Sequence, residues 1–143
     1  FVLTGLPHDY KNKKYSKKLF NKIKSNKYSS MIRYLGLVPL NDVYILNANS
    51  LALINPSLFE GWSTTVEEAK SLGSKLILSN IKIHKEQAPK ALFFNPKNVV
   101  EFENCIIKFF KTKKRVDNLK KITRYTEQRK KAFAQSLVKA FNF

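Results

Sequence analysis

Short apolar runs alternate with amphipathic segments along most of the chain, and this alternation constrains the fold more than any other feature. The apolar runs lie at residues 1–5, 31–35, 51–54, 75–79 and 91–94. Between them, apolar residues recur at spacings of three and four, which is the period of one helix face. Strands that alternate with helices through short loops favour a parallel sheet. The sequence therefore predicts an α/β fold with a doubly wound parallel sheet and helices on both of its faces.

The sequence marks several element ends. We predict helices at about residues 12–27, from Asn41 or Asp42 onward, at about residues 66–72, and at about 97–110 and 115–141. Asn41 or Asp42 would cap the second helix, and Gly73 would end the third. The run Leu51-Ala52-Leu53-Ile54 is continuously apolar, which predicts a strand buried on both faces.

The composition fits one folded domain. Of the 143 residues, 43% are apolar and 13% are aromatic, which is enough to build a core and argues against disorder. No apolar run approaches about 18 residues, so we predict no membrane-spanning helix. Cys105 is the single cysteine, which excludes an internal disulfide and fits a reducing compartment. We interpret the chain as one domain over residues 1–143 that belongs to a longer protein.

The positive charge is unevenly distributed. Lys and Arg number 27 against 10 Asp and Glu, giving a net charge of +17. Residues 11–27 hold eight lysines and no acid, whereas residues 34–69 hold no cation. Because no zinc-finger or aromatic-rich RNA-binding pattern accompanies the lysines, we interpret them as solvated helix faces that also attract anionic surfaces. The alternative function is a non-enzymatic basic module that binds nucleic acid or an anionic membrane surface.

One loop concentrates residues suited to chemistry, between Asn55 and Gly73. In a doubly wound sheet, ligands bind beyond the carboxyl ends of the strands, where loops lead into helix N-termini. Gly61 allows close approach of the backbone to a ligand, and residues 63–65 offer hydroxyls and N–H groups that suit an anion such as phosphate. Trp62 would either stack on a sugar or anchor the loop in the core.

Structural interpretations remain open for the same residues. Thr64-x-x-Glu67 and Thr65-x-x-Glu68 both fit a capping box, and capping is the interpretation that we favour for Glu67. His8 and His84 each follow a strand end, where we favour a turn role over a position in the cleft. Two histidines and one distant cysteine form no metal-binding cluster, so no metal is expected.

The segment from Asn55 to Ala69 resembles the donor-site signature of glycosyltransferase family 4. Glu60 and Glu68 match the spacing of the two glutamates in that signature, and Gly36-Leu37-Val38-Pro39 resembles the segment of the family near the nucleotide base. The resemblance covers about residues 1–110. It implies the C-terminal, donor-binding half of a GT-B fold, a Rossmann-like domain that holds a nucleotide-sugar without a cofactor.

The resemblance also implies a role for individual residues. Glu60 would be the catalytic residue that hydrogen-bonds hydroxyls of the donor sugar, and Glu68 would accept hydrogen bonds from the ribose. Leu37 and Val38 would contact the base. The donor sugar and diphosphate would be lined by Gly61, Trp62, Ser63, Thr64 and Thr65.

Two departures from the family pattern affect these expectations. Many relatives have Gly and Pro where this chain has Ser63 and Thr65, which concerns sugar specificity. The Arg and Lys that neutralise the diphosphate in relatives find no match here, and we expect them before Phe1.

The resemblance implies a complete reaction and its partners. A retaining enzyme would transfer a sugar from a nucleotide diphosphate donor to an acceptor hydroxyl of a glycan or lipid-linked acceptor. The acceptor would be held by another domain, and this chain alone would be inactive. We expect a cytoplasmic location with peripheral contact at the inner face of an anionic membrane, and no specific nucleic-acid partner.

Overall fold

Strands and helices alternate along the chain in the predicted order, with one additional helix between the fourth and fifth strands. The computed structural model describes residues 1–7 and 13–112, together with residues 131, 135 and 139. The elements in the described part of residues 1–112 are strands β1 (Val2–Thr4), β2 (Arg33–Gly36), β3 (Leu53–Asn55), β4 (Leu76–Ser79) and β5 (Leu92–Phe94), helices α1 (Lys13–Lys24), α2 (Leu40–Asn49), α3 (Thr64–Ser71), α4 (Lys82–Gln87) and α5 (Val99–Lys111), and a 3₁₀ turn (Ser29–Met31). All described strand pairs are parallel. The predicted Rossmann-like α/β class is confirmed.

Contacts divide the chain into two compact units, Phe1–Val43 and Tyr44–Phe143. In the first unit, β1 pairs with β2, and α1 lies between them in sequence. The ring of Phe20 on α1 lies 4.8 Å from the ring of Tyr34 on β2, and the Tyr34 hydroxyl donates to the carbonyl of Gly5 at 2.7 Å. Phe20 of α1 therefore contacts β2, whereas Tyr15 and Leu19 of the same apolar stripe are exposed. The single domain over residues 1–143 stays a prediction.

The second unit contains a parallel sheet of order β3-β4-β5. The connection from β3 to β4 carries α3, and the connection from β4 to β5 carries α4. Asn55 at the end of β3 is paired in register with Leu78, so the carboxyl ends of β3 and β4 lie side by side. The loops that follow these two strands therefore begin at the same edge of the sheet.

Opposite faces of β4 pack into different clusters. Ile77 joins Phe94, Cys105 and Phe109 in a buried cluster, and two of these residues lie on α5. Leu78, the next residue, joins Val66 of α3 and Ala88 after α4. Because successive side chains of a strand point to opposite faces, the helices cover both faces of this sheet, as predicted.

Several predicted bounds differ from the structure. Helix α2 begins at Leu40, where Pro39 O accepts from the N–H of Asp42 at 3.0 Å, so Asn41 and Asp42 lie in the first turn and do not cap it. Strand β3 is half-buried because it lies at the edge of the described sheet, so its predicted burial on both faces is wrong.

The helix after β4 was not predicted. The buried positions of α4 are His84 and Gln87, two polar residues, so its inner face shows no apolar period in the sequence. The helix predicted at residues 115–141 lies outside the described residues, except for three exposed helical positions, Lys131, Gln135 and Lys139.

Helix α3 ends as the sequence predicts. Gly73 has φ of 68°, and the N–H groups of Gly73 and Ser74 donate to the carbonyls of Lys70 and Ala69. This is a Schellman motif, which requires the left-handed backbone that glycine adopts without steric cost.

None of the helices within the described residues has both the length and the hydropathy needed to cross a bilayer.

Candidate functional site

The loop from β3 to α3 is organised by Asn55, the last residue of β3. Its Oδ1 accepts from the N–H of Ser57 at 3.0 Å, which forms an Asx turn. Its Nδ2 lies 3.2 Å from Glu60 Oε1 and 3.3 Å from Ser63 Oγ. One amide side chain at the strand end therefore fixes the beginning, middle and end of the loop.

The carboxylate of Glu60 is held through one of its two oxygens. Oε1 accepts from Asn55 Nδ2 and from Ser57 Oγ, the latter at 2.8 Å. Oε2 makes no hydrogen bond with any residue that the structure describes, and the residue is only half-buried. A carboxylate with one oxygen fixed and the other available is suited to accept hydrogen bonds from a ligand.

A shallow groove of about 350 Å³ lies next to this carboxylate. Its walls combine apolar side chains with charged ones, and Phe59 is 86% exposed. The residues that line the groove are Leu58, Phe59, Glu60, Gly61, Ile81, Lys82, Ile83 and Glu86. Apolar and aromatic surface beside carboxylates is a chemistry that suits a polar ligand with apolar faces, such as a sugar.

The first turn of α3 offers N–H groups beside this loop. Ser63 is the N-cap, and the helix makes a backbone hydrogen bond from Glu67 N to Ser63 O at 3.2 Å. The N–H groups of Thr64 and Thr65 lie in the turn that has no acceptor within the helix, and both residues are exposed. Because the N-cap is Ser63, the capping boxes predicted to start at Thr64 and Thr65 are wrong.

Gln87 of α4 fixes the start of α3. Its Oε1 accepts from Ser63 N at 3.2 Å, and its Nε2 donates to Ser63 O at 3.1 Å. Ser63 is 3% exposed, so its backbone is buried and paired within the protein. Among residues 61–65, which are predicted to line the donor, Ser63 is therefore the one whose backbone is hydrogen-bonded to the side chain of Gln87. Its contact with the donor stays a prediction.

The two glutamates of α3 lie in different surroundings. Glu68 is half-buried and lies three and four residues after Thr65 and Thr64, which places all three on one helix face. The carboxylate of Glu67 has partners within the fold: its Oε1 lies 2.8 Å from Lys70 Nζ and 3.2 Å from Gln87 Nε2. The capping role predicted for Glu67 is wrong, because its carboxylate pairs with Lys70 and Gln87.

Gly61 and Trp62 are both exposed. A Cβ built on Gly61 would meet no atom within 4 Å, and its φ lies outside the left-handed region. The protein itself therefore imposes no need for glycine there. Trp62 is 55% exposed, which excludes the alternative in which it anchors the loop in the core.

The remaining predicted residues lie elsewhere. Leu37, 70% exposed, and Val38, half-buried, lie between β2 and α2. His8 lies outside the described residues. His84 is neither a turn residue nor a cleft residue, because it lies in α4 and is completely buried.

Sequence reasoning missed the residues that support Glu60. The sequence pattern assigns Asn55 no role, although a polar residue that closes an apolar strand is a usable signal. Ser57 and Gln87 carry no comparable signal, because only the fold shows which groups they meet. Within residues 1–7 and 13–112, no three His, Cys, Asp or Glu side chains are grouped as a metal site would require.

The comparison with protein families agrees with the fold. The family model described as glycosyl transferases group 1 matches residues 1–128. No curated protein matches the chain at a significant level. The family match covers most of the 143 residues, and the structure has the parallel α/β architecture of a Rossmann-like half of a GT-B fold. The chain therefore belongs to the glycosyl transferases group 1 family.

Proposed function

We propose that this chain is the donor-binding domain of a retaining glycosyltransferase similar to family 4. In the reaction, the bond between the anomeric carbon of the sugar and the diphosphate oxygen breaks, and the diphosphate leaves with the electron pair. The acceptor hydroxyl forms a new bond to that carbon with retained configuration and gives its proton to the departing diphosphate. Family membership supports glycosyl transfer, and the arrangement around Glu60 supports the donor assignment.

The observation that carries this proposal is the geometry of the Glu60 carboxylate. Two donors, Asn55 and Ser57, fix Oε1, while Oε2 stays without a hydrogen bond to the described residues. A sugar hydroxyl in the groove would donate to Oε2. Since the carboxylate is already oriented before the ligand arrives, little conformational entropy is lost when it binds.

The start of α3 would bind the diphosphate. The N–H groups of Thr64 and Thr65 carry the positive end of the helix dipole, which favours an anion and stabilises charge that develops on a leaving phosphate. The open space above Gly61 would let a phosphate or sugar approach the backbone closely. The proposal includes no metal, because these groups and cationic side chains would neutralise the leaving group.

Glu68 would bind the ribose, and the resemblance to family 4 is what assigns the base to Leu37 and Val38. Glu68 shares a helix face with Thr64 and Thr65, so a ribose linked to a diphosphate on that turn would lie within reach of its carboxylate. The exposed Leu37 and the half-buried Val38 offer apolar surface to a base. The acceptor would be a glycan or lipid-linked hydroxyl bound outside this chain.

The test separates the sugar end of the donor from its nucleotide end. Affinities of the full-length protein for UDP, UDP-glucose, GDP and GDP-mannose are measured by calorimetry for wild type, Glu60→Gln and Glu68→Gln. We expect Glu60→Gln to weaken only the nucleotide-sugars, because the diphosphates have no sugar. Glu68→Gln should weaken all ligands that bind, by about 1–3 kcal/mol for a lost charged hydrogen bond.

Glu67→Gln is the matched control, since it changes the adjacent glutamate of α3, whose carboxylate pairs with Lys70 and Gln87. It should lower stability slightly through loss of the Lys70 pair and leave nucleotide affinity unchanged. If Glu68→Gln and Glu67→Gln behave alike, the ribose assignment is wrong.

A basic surface without catalysis is the second candidate, and helix α1 supports it. Lys14, Lys17, Lys18, Lys22 and Lys24 of this helix are exposed. Such a surface would attract an anionic membrane or nucleic acid and lose affinity steeply as salt increases. We propose peripheral contact with anionic lipid at α1 in addition to donor binding. Amide shifts confined to α1 during the nucleotide titrations would favour the basic module over the glycosyltransferase.

A further inference from the structure

A buried pair of side chains, Ser79 and His84, lies directly behind the Glu60 loop. Ser79 ends β4, His84 lies in α4, and both are completely buried. Ser79 Oγ is 2.6 Å from the carbonyl oxygen of Ser57 and 3.0 Å from His84 Nδ1. His84 Nδ1 also lies 3.1 Å from the carbonyl oxygen of Ser79.

The positions of the acceptors fix the protons of this pair. The carbonyl of Ser57 can only accept, so the single hydroxyl proton of Ser79 is donated to it. Ser79 Oγ must then accept from His84, which places a proton on Nδ1. His84 Nε2 is buried and has no hydrogen-bond partner within the described residues. A hydrogen there would be a buried donor without a partner, so these contacts place the ring hydrogen on Nδ1.

Ser57 transmits this arrangement to Glu60. Its carbonyl accepts from Ser79, its N–H donates to Asn55 Oδ1, and its hydroxyl lies 2.8 Å from Glu60 Oε1. All three polar groups of Ser57 are therefore engaged, and the bond to Ser79 ties the loop to β4. Without it, the Asx turn alone would hold the residue that orients the carboxylate.

We propose that Ser79 and His84 are positioning residues for the carboxylate of Glu60. His84 orients the Ser79 hydroxyl, Ser79 holds the backbone of Ser57, and Ser57 directs Glu60 Oε1, so that Oε2 stays available to the ligand. This inference rests on the proposed function, in which Glu60 binds the donor sugar. It implies that the pair affects recognition of the sugar and leaves recognition of the nucleotide alone.

The test measures how much the sugar adds to affinity. In the full-length protein, the ratio of the Kd of UDP to that of UDP-glucose, and of GDP to that of GDP-mannose, is determined for wild type and Ser79→Ala. We expect the ratio to fall about two- to tenfold in Ser79→Ala, as for one neutral hydrogen bond, with little change for the diphosphates alone. In a Glu60→Gln background, Ser79→Ala should cause no further loss, because both changes act on the same contact.

Ser74→Ala is the matched control. Ser74 also donates a hydroxyl to a backbone carbonyl, that of Asn47 at 3.1 Å, but it precedes β4 at the opposite end of the strand. It should leave the ratio unchanged. Equal ratios for Ser79→Ala and Ser74→Ala, or additive losses in Ser79→Ala with Glu60→Gln, would overturn the proposal.

Two substitutions of His84 separate positioning from bulk. The amide nitrogen of Asn replaces Nδ1 of histidine in position, and that of Gln replaces Nε2. In His84→Asn, the ratio of the diphosphate Kd to the nucleotide-sugar Kd should therefore stay close to the wild-type value. In His84→Gln, this ratio should fall as it does in Ser79→Ala. Equal retention by both variants contradicts the assigned tautomer, and so does a ¹⁵N NMR spectrum of the wild type in which the hydrogen lies on Nε2.

A readout that needs no ligand separates failure of this inference from failure of the proposed function. The carboxyl ¹³C shift of Glu60 in the unliganded protein should change in Ser79→Ala and stay unchanged in Ser74→Ala. If wild type binds none of the four nucleotides, the proposed function fails, and this shift still decides whether Ser79 positions Glu60.

Discussion

Two parts of the second unit are built on opposite principles. The apolar cluster consists of Ile77, Phe94, Cys105 and Phe109 and lies between the sheet and α5. The polar network lies at the carboxyl ends of β3 and β4 and joins Asn55, Ser57, Glu60, Ser63, Ser79, His84 and Gln87. The cluster has no preferred direction in its contacts, whereas each contact of the network fixes a donor and an acceptor.

The difference indicates which part stabilises the fold and which part shapes the site. Burial of apolar area contributes free energy roughly in proportion to area. A typical hydrogen bond adds only about 0.5–1.5 kcal/mol, but leaving its buried partner unpaired costs more. We therefore expect changes in the cluster to affect mainly stability, and changes in the network to affect mainly ligand binding.

The largest effect is expected in the apolar cluster. Phe109 is 5% exposed, and Phe109→Ala would remove one of the two buried α5 side chains of this cluster. The free energy of unfolding should fall by about 3–5 kcal/mol, as measured by urea denaturation. The affinity of the folded fraction for UDP or GDP should stay unchanged. A large loss of affinity in the folded protein would show that the cluster also shapes the site.

A smaller loss of stability with a larger loss of binding is expected in the polar network. Gln87→Met keeps the volume but leaves the buried N–H of Ser63 without its partner, while the Ser63 carbonyl keeps only the hydrogen bond from Glu67 N. Unfolding free energy should decrease by about 1–3 kcal/mol. Affinity for nucleotide-sugars should fall as well, because Ser63 sets the start of α3 and thus the direction of the Thr64 and Thr65 N–H groups.

Lys85→Met is the control for that change, since it introduces the same residue at an exposed position of α4. It should change stability by no more than about 0.5 kcal/mol. If Gln87→Met leaves nucleotide-sugar affinity as unaffected as Lys85→Met does, the network does not hold the first turn of α3 in its binding geometry.

The same contrast explains what the sequence could predict. The cluster follows from apolar period: Phe102, Cys105, Ile106 and Phe109 recur at spacings of three and four, and the sequence predicts α5 within two residues of its observed ends. The end of α3 at Gly73 is also a local feature, and the sequence predicts it. The five strands follow from apolar runs closed by turn residues.

The network could not be predicted in this way because its contacts join distant positions. Ser63 and Gln87 are 24 residues apart, and Ser57 and Ser79 are 22 apart. Polar residues on a buried face also conceal the helix that carries them, as in α4. The resemblance to a family indicates Glu60 and Glu68 as site residues. It does not show that Asn55 and Ser57 hydrogen-bond Glu60. Nor does it show that the carboxylate of Glu67 pairs with Gln87 and Lys70.

The smallest effect is expected at Cys105, the one titratable group of the apolar cluster. Burial, the main cause, raises the pKa of its thiol; Lys108 opposes this shift and Glu101 adds to it. A raised pKa means that the folded state binds the proton more tightly than the unfolded state. The corresponding stability is fully present below about pH 8.5, where an exposed thiol begins to ionise, and is lost as pH rises through the higher folded value. Between pH 8 and pH 10, wild type should therefore lose slightly more unfolding free energy than Cys105→Ala, in which this titration is absent.

Thiol labelling at pH 8 should be slow in the folded protein and faster in Phe109→Ala, because the reagent reaches Cys105 only when the cluster opens. Equal pH dependence in wild type and Cys105→Ala, together with fast labelling of the folded wild type, would show that the cluster does not exclude water from this side chain.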